Sequence, residues 1–200
     1  MKRQFGILLV ILVTQYIFGQ SMVSVELQKN SSFTIHGSTT ILKFKFTQSG
    51  EKFLKKIQNA TITEAQNRIN LSQNQFPIAL KNFSSDNIVA LNGFLNLVKS
   101  EEYPTIIVQL NYLQLENNLD KIQPNSAKAN LNFTITGVTK AYNIPIIATH
   151  LGDQYQINGN IKINIRDFGL VPPEYMMGLV KVNEWIDIEF HLICKITLLN

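Results

Sequence analysis

The chain is poor in cysteine and histidine, the residues that most often build disulfide frameworks and metal sites. Cys194 is the only cysteine among 200 residues, so a disulfide framework is excluded. The three histidines show no metal-ligand spacing, and no Cys-x-x-Cys occurs, so the sequence predicts no metal site. Cys194 lies in a strand-like apolar run and is interpreted as a small buried side chain.

Charge is also sparse, and neither sign dominates. The chain has 18 lysines and arginines against 14 acidic residues, and two of the basic residues, Lys2 and Arg3, directly follow the first methionine. The longest basic block is Lys55-Lys56, which is too short to follow a phosphate backbone. Nucleic acid is therefore not expected as a partner.

Catalytic motifs are missing as well. No Gly-x-Ser-x-Gly elbow occurs, and Asp167-Phe168-Gly169 lacks the glycine-rich and catalytic loops that accompany this triplet in kinases. The triplet is interpreted as a structural turn, in which Gly169 adopts a positive φ and Phe168 closes one end of the fold. The sequence offers no acid–base pair, and we predict a protein that is not an enzyme.

The N-terminus has the layout of a secretory signal peptide. Two basic residues precede the apolar run Phe5–Val13, which extends less strictly to Phe18, and the small or polar residues Gly19, Gln20 and Ser21 follow. We predict a signal peptide over residues 1–19 and a single domain over residues 20–200. The alternative is an uncleaved anchor, but the run is shorter than the ~20 residues of a comfortable span. No membrane span is expected after cleavage.

Alternation of apolar and polar residues is the strongest pattern in the chain. In the segment INGNIKINI, isoleucines recur at every second position except at Gly159, as in a strand with one wet and one dry face. Similar runs cover 32–46, 105–115, 128–135, 142–148 and 184–198. Ile88, Leu91, Leu95 and Val98 instead stand at helical spacing. The pattern predicts eight to nine strands and one helix, in an antiparallel barrel or sandwich.

Five segments, in order, resemble the motifs of the YceI-like proteins, a family of exported lipocalin-like barrels of bacteria. They span nearly all of the chain after the leader. The segments are Phe33–Ile41 with its Gly-Ser-Thr turn, Leu91–Lys99 followed by Tyr103–Ile106, Leu131–Lys140 with its Gly-Val-Thr-Lys ending, Ile165–Pro173 with its Asp-Phe-Gly turn, and Val182–Phe190 of the closing strand.

The resemblance implies an all-β fold, an extended antiparallel lipocalin-like β-barrel of about eight strands with one helix. It implies that an apolar lipid of the polyisoprenoid type binds in the interior, without a metal or covalent cofactor and without catalytic residues. It also implies export to the Gram-negative periplasm, with secretion as the alternative. The oligomeric state, including a homodimer, stays open.

The inward-facing apolar side chains are the candidate ligand-binding residues. A polyisoprenoid has almost no polar groups, so its affinity must come from apolar area removed from water, at roughly 25 cal/mol per Å². The alternative for each of these residues is ordinary core. The candidates are Ile35, Phe44, Phe46, Ile106, Val108, Leu110, Phe133, Ile135, Ile161, Ile163, Ile188 and Phe190.

Two other functions stay open at the level of sequence. A barrel packed solid with side chains would act as a structural or protein-interaction module without a lipid. An enzyme of isoprenoid or lipid metabolism is the third hypothesis, and the sequence supplies no residues for its chemistry.

Overall fold

The computed structural model describes residues 20–54, 57–65, 68–72, 74–115 and 125–199. Within these ranges the chain forms thirteen strands and one α-helix. The predicted signal peptide, residues 1–19, lies outside the described residues. The strands are β1 (Gln20–Leu27), β2 (Ser32–Ser38), β3 (Lys43–Ser49), β4 (Ile57–Ala65), β5 (Arg68–Ser72), β6 (Gln75–Ala79), β7 (Thr105–Leu115), β8 (Asn125–Ile135), β9 (Val138–Leu151), β10 (Gln154–Asn164), β11 (Glu174–Tyr175), β12 (Val180–Lys181) and β13 (Trp185–Leu199), and the helix is α1 (Ile88–Leu97).

Eight of these strands close an antiparallel barrel. Their order around the ring is β1, β4, β5, β7, β8, β9, β10 and β13, and β13 pairs with β1 to complete the circuit. The closed eight-stranded barrel with one helix confirms the predicted fold class. Closure leaves the ring without free strand edges, so its backbone polar groups pair within the protein.

Three further strands extend the barrel at one end. The first half of β13 pairs with β2 over residues 187–191, and its second half pairs with β1 over residues 194–199. Strand β7 is shared in the same way, by β6 over residues 105–109 and by β5 over residues 112–114. We call the end of the barrel formed by β2, β3, β6 and α1 the helix end.

Buried polar side chains fill the two places where one partner strand gives way to the next. At the junction of β1 and β2, Ser31 Oγ donates to the carbonyl of Ile193 at 3.1 Å and accepts from its N–H at 2.9 Å. At the junction of β5 and β6, Asn74 donates to the carbonyl of Leu110 at 2.5 Å and accepts from its N–H at 2.9 Å. Each side chain thereby replaces a missing strand residue and satisfies buried backbone groups.

Replacement of Ser31 by alanine is expected to destabilise the fold by about 1–3 kcal/mol, because it leaves the buried Ile193 N–H without its acceptor. Urea unfolding of Ser31→Ala measures this loss as a lower midpoint at unchanged slope. Ser126→Ala, at an exposed serine of β8, is the control and should change the stability by less than about 0.5 kcal/mol. Equal midpoints for the two variants would contradict the bridging role of Ser31.

Helix α1 begins at a side-chain cap and packs inside the helix end. Asn87 Oδ1 accepts the N–H of Ala90 at 2.9 Å, which satisfies one of the free donors of the first turn. The ring of Phe94 stacks on Phe46 of β3 with centroids 4.8 Å apart. Leu91 and Val98 are buried, as their spacing predicts, but Ile88 of the same predicted stripe is 61% exposed. Ile88 lies in the first turn, where the helix meets solvent.

No helix in the described residues is long and apolar enough to cross a membrane.

Candidate functional site

A cavity with a volume of about 410 Å³ lies in the helix end of the barrel. Strands β2, β3, β7, β8 and β13 form one side, and α1 with the segment 165–183 forms the other. The cavity reaches solvent at Leu42 and Val89, which line it and are also exposed. Its volume falls within the roughly 300–1,000 Å³ of typical small-molecule sites.

Strand parity correctly placed the twelve predicted residues inside the barrel, but only half of them reach the cavity. The six that line the cavity are Ile35, Phe44, Phe46, Ile106, Ile135 and Ile188. The other six pack in the core or against it, further along the strands: Val108, Leu110, Phe133, Ile161, Ile163 and Phe190. Ligand binding by any of the twelve remains a prediction.

The helix and the segment before β13 supply the lining that the alternation could not identify. Ala90, Gly93, Phe94 and Leu97 of α1 line the cavity. The segment 165–183 adds residues from the turn after β10 and from the β11–β12 hairpin, including Leu170, Tyr175, Val180 and Val182. The apolar stripe of the helix was the available signal, since a stripe must face something apolar.

The Phe190 ring belongs to the core and occupies the space that a side chain at residue 159 would need. The two residues are cross-strand partners, and the Phe190 ring lies over the glycine. A Cβ atom at Gly159 would lie 2.3 Å from Phe190 Cζ, which is closer than non-bonded carbons can approach. Gly37 and Phe44 repeat this arrangement on β2 and β3, also at 2.3 Å. The rings occupy the space of the absent side chains.

Substitution of Gly159 by alanine is expected to destabilise the protein by about 1–3 kcal/mol, because the added methyl displaces a ring in a packed core. Phe190→Leu in the same chain makes room for the methyl, so the double variant should lose less than the sum of the single losses. Urea unfolding of both single variants and the double variant measures this coupling. Strictly additive losses would show that the two side chains do not compete for this space.

The cavity has little capacity to bind a polar ligand. None of its lining residues is charged. Three of the polar side chains that line it already accept backbone hydrogen bonds: Asn87 from Ala90, Thr39 from Leu42 at 3.0 Å, and Asn183 from Trp185 at 2.9 Å. A ligand held in this cavity must therefore gain most of its affinity from apolar contact.

The Asp-Phe-Gly segment is a structural turn beside this cavity. Phe168 is fully buried, and Gly169 has a φ of +74° that ends the turn, as the sequence predicted. The Phe168 ring lies 6.4 Å from that of Tyr142, whose hydroxyl donates to Asp167 Oδ2 at 3.4 Å. Burial, followed by the charge of Asp167 and this hydrogen bond, raises the pKa of Tyr142 to about 12.

The variant Asp167→Asn is expected to lower the pKa of Tyr142 while leaving it above the ordinary value of about 10, because burial is the largest cause of the shift. A raised pKa means that the folded state holds the phenol proton more tightly than the unfolded state. The raised pKa of Tyr142 therefore leaves the free energy of unfolding unchanged below pH ~10, where the phenol is protonated in both states. It lowers the free energy of unfolding as the pH rises towards 12. Titration of tyrosinate absorbance, with Tyr142→Phe to assign the signal, measures the shift. A pKa at the ordinary value in Asp167→Asn would contradict the dominance of burial.

Cysteine and histidine residues take no part in the cavity. Cys194 is buried, as predicted, and burial raises its pKa to about 11. His36 Nε2 lies 3.1 Å from Glu189 Oε2, and His191 Nδ1 lies 2.6 Å from Asn158 Oδ1. Within the described ranges, no three His, Cys, Asp or Glu side chains are grouped closely enough to hold a metal ion.

Comparison with known proteins assigns the family. The family model described as YceI-like domain matches residues 59–194, which is more than half of the chain. The chain belongs to the YceI-like family. No curated protein sequence matches it. The family assignment confirms the resemblance seen in the sequence motifs.

The solved structures similar to this YceI-like chain include two that cover most of its length. A polyisoprenoid binding domain from Saccharophagus degradans, implicated in plant cell wall breakdown, has a TM-score of 0.58 at 13% identity, covering 86% of this chain and 97% of that domain. BcnA of Burkholderia cenocepacia has a TM-score of 0.58 at 14% identity, covering 82% of this chain and 95% of its own. At these identities the similarity establishes the YceI-like fold alone.

Proposed function

We propose that this protein is an exported, non-enzymatic lipid-binding protein that holds the hydrocarbon chain of a polyisoprenoid in the cavity at the helix end. The observation that carries the proposal is the cavity itself, an uncharged space of about 410 Å³ inside a barrel whose middle is tightly packed. Export rests on the signal-peptide layout of residues 1–19 and on the character of the family.

Branched aliphatic and aromatic side chains surround the cavity, and no charged group offers an ion pair to a polar ligand. Each 100 Å² of hydrocarbon transferred from water to such a surface contributes about 2.5 kcal/mol. A chain that buries a few hundred Å² therefore gains enough to offset the entropy lost on binding.

The isoprenoid class is supported by family membership and by the Saccharophagus degradans domain, which is described as polyisoprenoid binding and has the same fold. The cavity supports the binding role against the solidly packed barrel, because a packed barrel would have no such space. Transport, storage and sensing all require this binding step.

The direct test is mass spectrometry of organic extracts from protein purified from its native host, followed by uptake of prenols of increasing chain length by the emptied protein. We expect a stoichiometric isoprenoid in the extract. We also expect an affinity that rises with chain length until the cavity is full. An empty protein that takes up no prenol would overturn the proposal in favour of the packed interaction module.

A variant that fills the cavity separates binding from folding. Ala90→Trp places an indole on the cavity side of α1 and should weaken prenol binding at least about tenfold by removing the apolar space. The control is Asn96→Trp, because Asn96 is on the same helix, is exposed and does not line the cavity. Binding is measured by prenol competition with a fluorescent apolar probe, after thermal unfolding has shown that both variants fold. Unchanged binding in Ala90→Trp would place the site elsewhere.

A further inference from the structure

A group of exposed apolar side chains lies around the mouth of the cavity. Three turns contribute: the β2–β3 turn, the first turn of α1, and the β11–β12 turn. Leu42 and Val89 both line the cavity and face solvent, and Tyr175 and Val180 line it on either side of the β11–β12 turn. The exposed residues that we call the apolar rim are Ile41, Leu42, Ile88, Val89, Met176, Met177 and Leu179.

Hydrogen bonds join two parts of the rim. The Thr40 N–H donates to the carbonyl of Lys181 at 3.1 Å, and its hydroxyl donates to the carbonyl of Leu179 at 3.2 Å. Thr39 forms a β-bridge with Val182, and Lys181 pairs with Glu174 at 3.2 Å. The β2–β3 turn and the β11–β12 turn therefore form one supported surface beside the mouth.

The β11–β12 turn presents methionines where the backbone disfavours them. Met176 and Met177 have φ angles of +53° and +56°, in the left-handed region where Gly and Asn are the usual residues. Met177 is fully exposed, Leu179 is 76% exposed, and Val89 across the mouth is 78% exposed. These side chains leave most of their apolar surface in water, and exposed apolar patches of this kind mark interaction surfaces.

The charges that flank the rim suit an anionic surface. Lys43 and Lys45 are exposed and follow Leu42 on the same hairpin. The segments 39–45, 85–90 and 174–182 together carry three lysines against two acidic residues. One of these acids, Glu174, is paired with Lys181, and the other, Asp86, lines a shallow depression together with Lys43 and Lys45. An apolar centre with lysines at its margin matches the profile of a bilayer surface that contains anionic lipids.

We propose that the apolar rim docks on a lipid bilayer containing anionic phospholipids and holds the cavity mouth against the membrane. The rim side chains enter the interfacial region, and Lys43 and Lys45 lie at the level of the phosphates. A hydrocarbon chain then passes between bilayer and cavity without crossing water. The passage of a hydrocarbon chain rests on the proposed lipid-binding function, whereas the docking itself depends only on the apolar rim and the lysines beside it.

Flotation with vesicles of phosphatidylethanolamine and phosphatidylglycerol in equal parts tests the docking. Wild type should float with these vesicles, and Met177→Asn should bind about tenfold more weakly, because it removes a methionine from the interface. Asparagine accepts the left-handed backbone better than methionine does, so this variant is expected to fold. Lys43→Ala and Lys45→Ala should each weaken binding about fivefold, and pure phosphatidylcholine vesicles should bind less than the anionic ones.

The matched control is Met22→Asn at an exposed methionine of β1. Met22 pairs with Leu199 at the far end of β13, whereas the cavity residue Ile188 lies near the start of that strand. Met22→Asn should bind the vesicles as wild type does. An equal loss in Met22→Asn and Met177→Asn would overturn the assignment to the rim, and absence of wild-type flotation would overturn docking altogether.

Two further readouts separate this proposal from its alternatives. Prenol uptake from solution should be unchanged in Met177→Asn and at least about tenfold weaker in Ala90→Trp, so a failure of docking and a failure of lipid binding are distinguishable. Sedimentation of wild type and Met177→Asn without vesicles should show the same oligomeric state. A dimer that dissociates in Met177→Asn would overturn membrane docking in favour of a second copy seated on the rim.

Discussion

The pairing of backbone groups along two long strands determines the shape of this molecule. Strands β13 and β7 are each longer than any single partner on one side, so each is shared by two shorter strands. A change of partner leaves buried N–H and C=O groups unpaired unless another group reaches them. Ser31 and Asn74 supply that group at the two changeovers. The partner change allows β2, β3 and β6 to extend beyond the closed ring and make room for the helix.

The interior consequently has two parts with different packing. In the middle of the barrel, Phe133 and Ile163 are fully buried and the core is continuous. At the helix end, α1 forms part of the wall that strands form elsewhere, and its stacking of Phe94 on Phe46 leaves the cavity beside it. The packed part holds the fold together, and the unfilled part is available to a ligand.

Alternation predicted the strands and the direction of their side chains well, because side-chain parity is a local property of a strand. It placed residues as different as Ile35 and Phe133 correctly in the interior. Alternation could not distinguish residues that line the cavity from residues that pack in the core, since this distinction depends on where α1 lies across the barrel. Gly159 illustrates the same limit: the sequence showed a gap in the alternation, but the ring that fills it comes from Phe190, 31 positions later. Strand β1 lies outside the predicted runs although Val23, Val25 and Leu27 alternate in it with polar residues. Strand β6 and the β11–β12 hairpin are too short to show a pattern of their own.

The register of β13 also sets an order of events during folding. Strand β13 pairs with β10 on one side and with both β1 and β2 on the other, and Met22 of β1 lies opposite Leu199. A chain made from its N-terminus therefore carries β1 and β2 with one unpaired edge each until β13 has been completed. Such long-range pairing is slow, and open edges favour aggregation in the meantime. Both edges therefore stay open to mispairing until the fifteen-residue strand β13 is in place.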